Sequence, residues 1–200
     1  MLAAETFLAD IAQNVAGDRL RVESLIPPGV DPHEFQPAPQ DAVRLAGSDV
    51  LIVNGLGYES WLAKSLQVGG KQPVIIVTTQ GLTSHADPSG EHPGGDPHMW
   101  MDPLNAVRYA ESIRDGLTRA DPAGKDVYAA NADVYIAKLK VLDASIKADV
   151  EQLPPEKRLL VTNLYIETLS PRGGPAATYI DMLKHDAGLI LSALGCNCKP

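Results

Sequence analysis

Cysteine is nearly absent from these 200 residues: the only two, Cys196 and Cys198, sit in the final CNCKP. A disulfide-stapled scaffold is therefore excluded. Two cysteines this close would form a strained disulfide, and their spacing is shorter than the C-x2-C of ordinary zinc sites, so a frayed tail is expected. Excess positive charge is also missing. With 17 Lys and Arg against 25 Asp and Glu, the formal net charge is -8. A nucleic-acid partner needs a basic patch, which this balance does not offer, whereas an acidic field attracts cations. No run reaches the roughly 18 to 20 apolar residues that cross a bilayer. The N-terminus lacks the basic and long apolar segments of a secretory signal, which leaves open a cytoplasmic chain or one numbered after signal removal.

What remains is an ordinary globular composition, 44% hydrophobic and 21% charged, enough for one generous domain or two small lobes. The pattern along the chain is that of an α/β fold. Phe7, Ile11 and Val15 mark one helix face over about Thr6 to Val15. RLRVESLIP reads as a strand, PQDAVRLAGSD as a short helix and VLIVNG as a buried parallel strand. ESWLAKSL then reads as a helix and QPVIIVTT as a second buried strand. The segment from Gln80 to Pro97 is turn-rich and predicts a surface loop.

Asp102-Pro103 predicts a helix start, with Asp as cap, followed by the stripe Val107, Ala110, Ile113 and Leu117. A long helix is expected from about Ala123 to Leu153, with Val127, Val134, Tyr135, Leu139, Leu142 and Ile146 on its apolar side. After Pro154-Pro155, RLLVT and LYIET read as two strands almost touching. A terminal helix follows, with Tyr179, Met182, Leu183, Leu189, Ile190 and Leu194 at helical spacing.

Only five histidines occur, yet two of them, His33 and His98, lie in the same Asp-Pro-His tripeptide. Proline stiffens the step before each imidazole, and nearby glycines, Gly29 in one copy and Gly94 with Gly95 in the other, permit tight loops. Neutral imidazole suits zinc and several other divalent metals, and carboxylates complete sites that also accept manganese. If both loops meet at the carboxyl edge of a parallel sheet, the two rings can share one ion. His85 and His92 are at most weak capture sites in the mobile loop, and His185 is a solvated helix residue. Glu34 is expected to point away. Trp100 and Met101 read as core or as an apolar surround for His98, and Glu167 in YIETLSP stands where a strand end could deliver a carboxylate.

ETFLADIAQNVAGDRLRVESLIPPGVDPHEFQPAPQDAVRLAGSDVLIVNGLGYESWL, followed by DPHMWMDPLNAVRYAESI, resembles the metal-binding substrate-binding proteins of bacterial zinc and manganese ABC importers. The match runs nearly continuously from Ala3 to Thr162. The resemblance implies two α/β lobes joined by a rigid helix, with the metal between them. Residues 1–120 would be the metal-binding lobe, 121–153 the connecting helix and 154–200 a shortened second lobe. His33 and His98 fall on the family's first two ligand motifs, and Glu167 on its late acidic one.

The departure lies at Thr162, Asn163 and Leu164, which join two strand patterns that the family separates by most of its second lobe. The third ligand is expected to be lost with it, leaving an open coordination position and weaker, more exposed binding. Exposed edges in so thin a lobe would favour self-association.

The expected function is extracytoplasmic capture of zinc or manganese, as cargo, for an ABC permease, without catalysis. A metallohydrolase with an open metal site is the rival, against which no H-E-x-x-H or other nucleophile motif occurs. An adhesion or structural module with no working metal site is the third reading.

Overall fold

VLIV, four apolar β-favouring residues in a row, lies at the middle of a parallel sheet because it is buried on both faces. In the computed structural model, which describes residues 1–67, 72–87, 90, 92, 94–153 and 168–196, the sheet has four strands. They are β1 (Leu2–Ala3), β2 (Glu23–Ser24), β3 (Val50–Val53) and β4 (Val74–Val77), all parallel in the order β2-β1-β3-β4. The helices are α1 (Thr6–Ala16), α2 (Pro39–Ala46), α3 (Leu62–Leu66), α4 (Pro103–Ala120), α5 (Lys125–Glu151) and α6 (Tyr179–Ala193). The α/β class expected from the sequence is the one observed. Among the described residues no helix is long and apolar enough to cross a membrane.

Two strand expectations need correction. β2 keeps only two residues of RLRVESLIP, although the Leu25 and Ile26 amides still bond the carbonyls of Ala3 and Ala4, at 2.8 and 3.0 Å. β4 is not a buried strand: Val74 and Ile75 are 47% and 43% exposed. It is the terminal strand of the described sheet, and of its residues Ile76 is buried under α4. There Gly116 lets the helix approach so closely that a Cβ would come within 2.4 Å of Ile76 Cδ1. ESWLAKSL likewise forms only the short α3.

α4 begins as its sequence predicts, with the Asp102 carboxylate accepting the Leu104 amide and Pro103 in the first turn. α5 buries Tyr128, Ala132, Tyr135, Leu139 and Leu142, a seam alternating by four and three residues that packs on α1, α4 and α6. The expected apolar side was drawn too wide. Val127 and Val134, one residue before seam positions and so about 100° around the helix, are 43% and 59% exposed.

Phe7 and Leu8 of α1, Trp100, Tyr109 of α4, Tyr128 of α5 and Tyr179 of α6 are fully buried in one core. Phe7 stacks on Trp100 with ring centroids 4.4 Å apart, and the Tyr179 hydroxyl donates to the Trp100 carbonyl. The strand patterns RLLVT and LYIET lie outside the described residues. Where the chain is described again, the Leu169 amide donates to the Thr6 hydroxyl at 2.9 Å, and the Thr168 hydroxyl accepts the Gly29 amide at 3.0 Å. Cys196 is not a free thiol in a frayed end but is disulfide-bonded, and its amide donates to Leu191 at 2.9 Å. The chain's only other cysteine, Cys198, lies outside the described residues.

Candidate metal centre

Ligand crevices in open parallel sheets form beyond the carboxyl ends of the strands, and three histidines arrive there on two loops. The first loop leaves β2 and carries His33; the second leaves β4 and carries His92 and His98 before α4 begins. The repeated tripeptide makes the same local bond twice. Asp31 Oδ1 accepts the His33 amide at 2.8 Å, and Asp96 Oδ1 accepts the His98 amide at 3.0 Å. Each Asp thus closes a turn over its proline onto the histidine two residues later.

In the second copy the same Asp96 oxygen also meets His98 Nδ1 at 2.8 Å. The bond from the His98 amide, reinforced by the ring, holds the Asp96 carboxyl below its ordinary range against a smaller opposing effect of burial. Asp87 treats His92 in the same manner, its Oδ2 lying 2.9 Å from both the amide nitrogen and Nδ1. The side chains of that pair are only 9% and 10% exposed. A carboxylate at Nδ1 fixes the proton there and leaves Nε2 as the basic nitrogen, the arrangement that prepares an imidazole for a metal.

The rings lie close together. Centroid separations are 5.7 Å for His33–His98, 5.4 Å for His33–His92 and 6.4 Å for His92–His98. With metal–nitrogen bonds of about 2.0–2.1 Å, two imidazoles on one tetrahedral ion have centroids about 5 Å apart. Among the described residues no three His, Cys, Asp or Glu side chains yet converge on a single point. Buried Tyr58 borders the group, its ring 5.0 Å from His33 and 6.0 Å from His98, with Trp100 5.1 Å beyond.

The loops are anchored from below. Asn54, at the carboxyl end of β3 and fully buried, donates from Nδ2 to the Pro97 carbonyl at 3.0 Å and accepts the Tyr109 hydroxyl on Oδ1. Glu59 receives the amides of Asn54 and Gly55. Burial, with the negative charge of Glu59 beside it, pushes the Glu5 carboxyl well above its ordinary range, so Glu5 is the neutral member of the pair.

Of the residues predicted from sequence, His33 and His98 are brought together and Glu167 lies outside the described residues. Glu34, like His33 beside it, is exposed. Trp100 is fully buried core, whereas Met101 is partly buried against it. His85 lines a cavity of about 450 Å³ with Asp96, His98 and Asp102, and His185 lies on α6. A larger apolar cavity of about 690 Å³, lined by Phe35, Pro37, Ala42 and Trp61 among others, includes no histidine. His92, expected from sequence to be at most a weak capture site, stands beside the pair, its ring 5.4 Å from that of His33. Here too the aspartate, Asp87, precedes a proline, but the histidine follows five residues later rather than two.

Residues 1–166 match the family model described as the periplasmic zinc-uptake complex component A, ZnuA. An iron-binding protein, YfeA, of Yersinia pestis is 40% identical over 159 residues, 79% of this chain and 51% of that protein. A manganese-binding lipoprotein, MntA, of Halalkalibacterium halodurans is 38% identical over 156 residues, 78% of this chain and 51% of that one. The chain thus spans about half the length of the curated relatives it matches. The Mn-bound periplasmic metal-binding protein of Candidatus Liberibacter asiaticus superposes with a TM-score of 0.87 at 26% identity, over 96% of this chain and 98% of that one.

Proposed function

Because this chain belongs to the periplasmic zinc-uptake complex component A family, we propose that it captures a divalent transition metal, zinc or manganese, outside the cytoplasm and yields it to the permease of an ABC importer. The metal is cargo, so binding is reversible and no bond of a substrate is broken. The observation that carries this reading is the pairing of His33 with His98. Two rings 5.7 Å apart, each on a loop closed by its own aspartate, face one crevice at the carboxyl edge of the sheet.

His33 and His98 are the proposed imidazole ligands and Glu167 the carboxylate. Support for Glu167 comes from its neighbour, since Thr168 is bonded to Gly29 at the base of the His33 loop. Residues 1–120 form the metal-binding lobe in this reading, 121–153 the connecting helix and 154–200 the remnant of a second lobe. Self-association through exposed strand edges would involve β4, the terminal strand of the described sheet.

Titration calorimetry of the metal-free protein with zinc and then manganese, beside His33→Ala/His98→Ala, tests the reading. Saturable one-to-one binding that the double variant loses is expected. Tight binding that survives both substitutions would exclude this pair as the site.

A further inference from the structure

Given the metal-capture reading, on which this rests, we infer that His92 is a further ligand, supplied by the same loop as His98 and filling the position expected to be open. Three observations converge on it. The His92 ring already stands 5.4 Å from His33, within a few tenths of an ångström of the separation of two imidazoles on one ion. Its Nδ1 is engaged by Asp87, so Nε2 is the basic nitrogen. The pair is also almost completely buried, at 9% and 10% exposure, in a stretch otherwise made of Gly, Ser, Pro and charged residues. Burying an imidazole and a carboxylate together costs desolvation, which is offset only by well-formed bonds such as the two that Asp87 makes to His92.

Among the described residues the three rings do not converge on one point as they stand. His92 and His98 stand 6.4 Å apart, so binding draws these two rings together by about 1 Å, a movement that residues of one loop can make. His33, His92 and His98 together make a set of three imidazoles, a donor set that suits zinc. It is richer in nitrogen than a manganese site, which favours oxygen donors. Asp87 acts as a positioning residue for His92.

The test uses the whole chain with 15N-labelled histidine imidazoles, titrated with zinc and followed by long-range 1H–15N correlation spectra. In the wild type, Nε2 of His33, His92 and His98 should all shift on saturation, while His185 stays in place. Calorimetry of His92→Ala should show zinc affinity lowered by at least about 10- to 100-fold, with manganese affinity lowered less. Asp87→Ala should lie between the variant and the wild type. An unaltered melting temperature of metal-free His92→Ala separates loss of a ligand from loss of structure. If His33 and His98 shift while His92 does not, or if His92→Ala binds zinc as the wild type does, His92 is not a ligand and the capture reading stands without it. If none of the three shifts, the capture reading itself fails.

Discussion

The side-chain amide of Asn54 donates to the carbonyl of Pro97 at 3.0 Å, so the residue before His98 hangs from the end of a central strand. The other half of the same amide accepts the buried Tyr109 hydroxyl of α4. One side chain therefore fixes the height of the second histidine loop against both sheet and helix.

Replacing Asn54 with Ala leaves the Tyr109 hydroxyl and the Pro97 carbonyl without this partner in a buried place. The expected cost is about 2–4 kcal/mol of folding stability, as two buried polar groups lose their partner. Zinc affinity should fall as well. Tyr109→Phe, which removes only the hydroxyl, should cost about 1–2 kcal/mol and leave zinc affinity nearly intact. Urea unfolding and calorimetry on the two variants distinguish these effects.

Asp31→Ala and Asp96→Ala each remove the carboxylate that closes an Asp-Pro-His turn. Each should weaken zinc binding by about 10- to 100-fold, the usual cost of a lost supporting contact. Metal-free melting temperatures should change by only a few degrees. A loss larger in Asp96→Ala is expected, because Asp96 also holds the ring of His98.

Much of this arrangement could be anticipated from the sequence, for identifiable reasons. Asp102-Pro103 announced α4, and the two Asp-Pro-His copies announced His33 and His98, because these signals act within two or three residues. β1 escaped because two residues, Leu2–Ala3, are too few to show a period. The width of the α5 face was misjudged because Val127 and Val134 fit a helical repeat that the 3.5-residue seam does not use. The Asn54–Tyr109 bond joins residues 55 positions apart, and no local pattern encodes such a pairing. The Asp87–His92 contact is harder to read from sequence because the aspartate lies five residues away, beyond the short spacing of the other two turns.

Burial pushes the Asp10 carboxyl up to about 6, although the Tyr179 amide at the start of α6 donates to it at 3.0 Å. Below about pH 4 folded and unfolded chains both hold this proton. Between about 4 and 6 the unfolded chain releases it first, so stability falls as pH rises, and above 6 the loss is complete. The contribution is on the order of 2–3 kcal/mol. Metal-free Asp10→Asn should lose this part of the decline across pH 4–6 relative to the wild type. Denaturant midpoints at half-unit pH steps measure the difference.

Gly55 follows β3 with φ +95°, where a Cβ would come 2.6 Å from Val77 Cγ1 and 2.8 Å from Thr79 Oγ1. Gly55→Ala should therefore cost about 2–5 kcal/mol, combining the left-handed backbone penalty with overpacking. Thermal melting reads the loss directly. An unchanged melting temperature would mean that the ends of β3 and β4 separate more easily than their packing suggests.

Each aspartate-closed turn restrains its histidine within a handful of covalent bonds, a local restraint to which the distant anchors Asn54 and Thr168 are added. Much of the entropy of arranging these donors is then lost before folding begins, in segments that an unfolded chain can also form. Short peptides spanning residues 29–35 or 85–99 should accordingly retain a weak affinity for zinc. In the whole protein, metal would stabilise the native state by less than its measured affinity implies, because the denatured ensemble competes for the same ion.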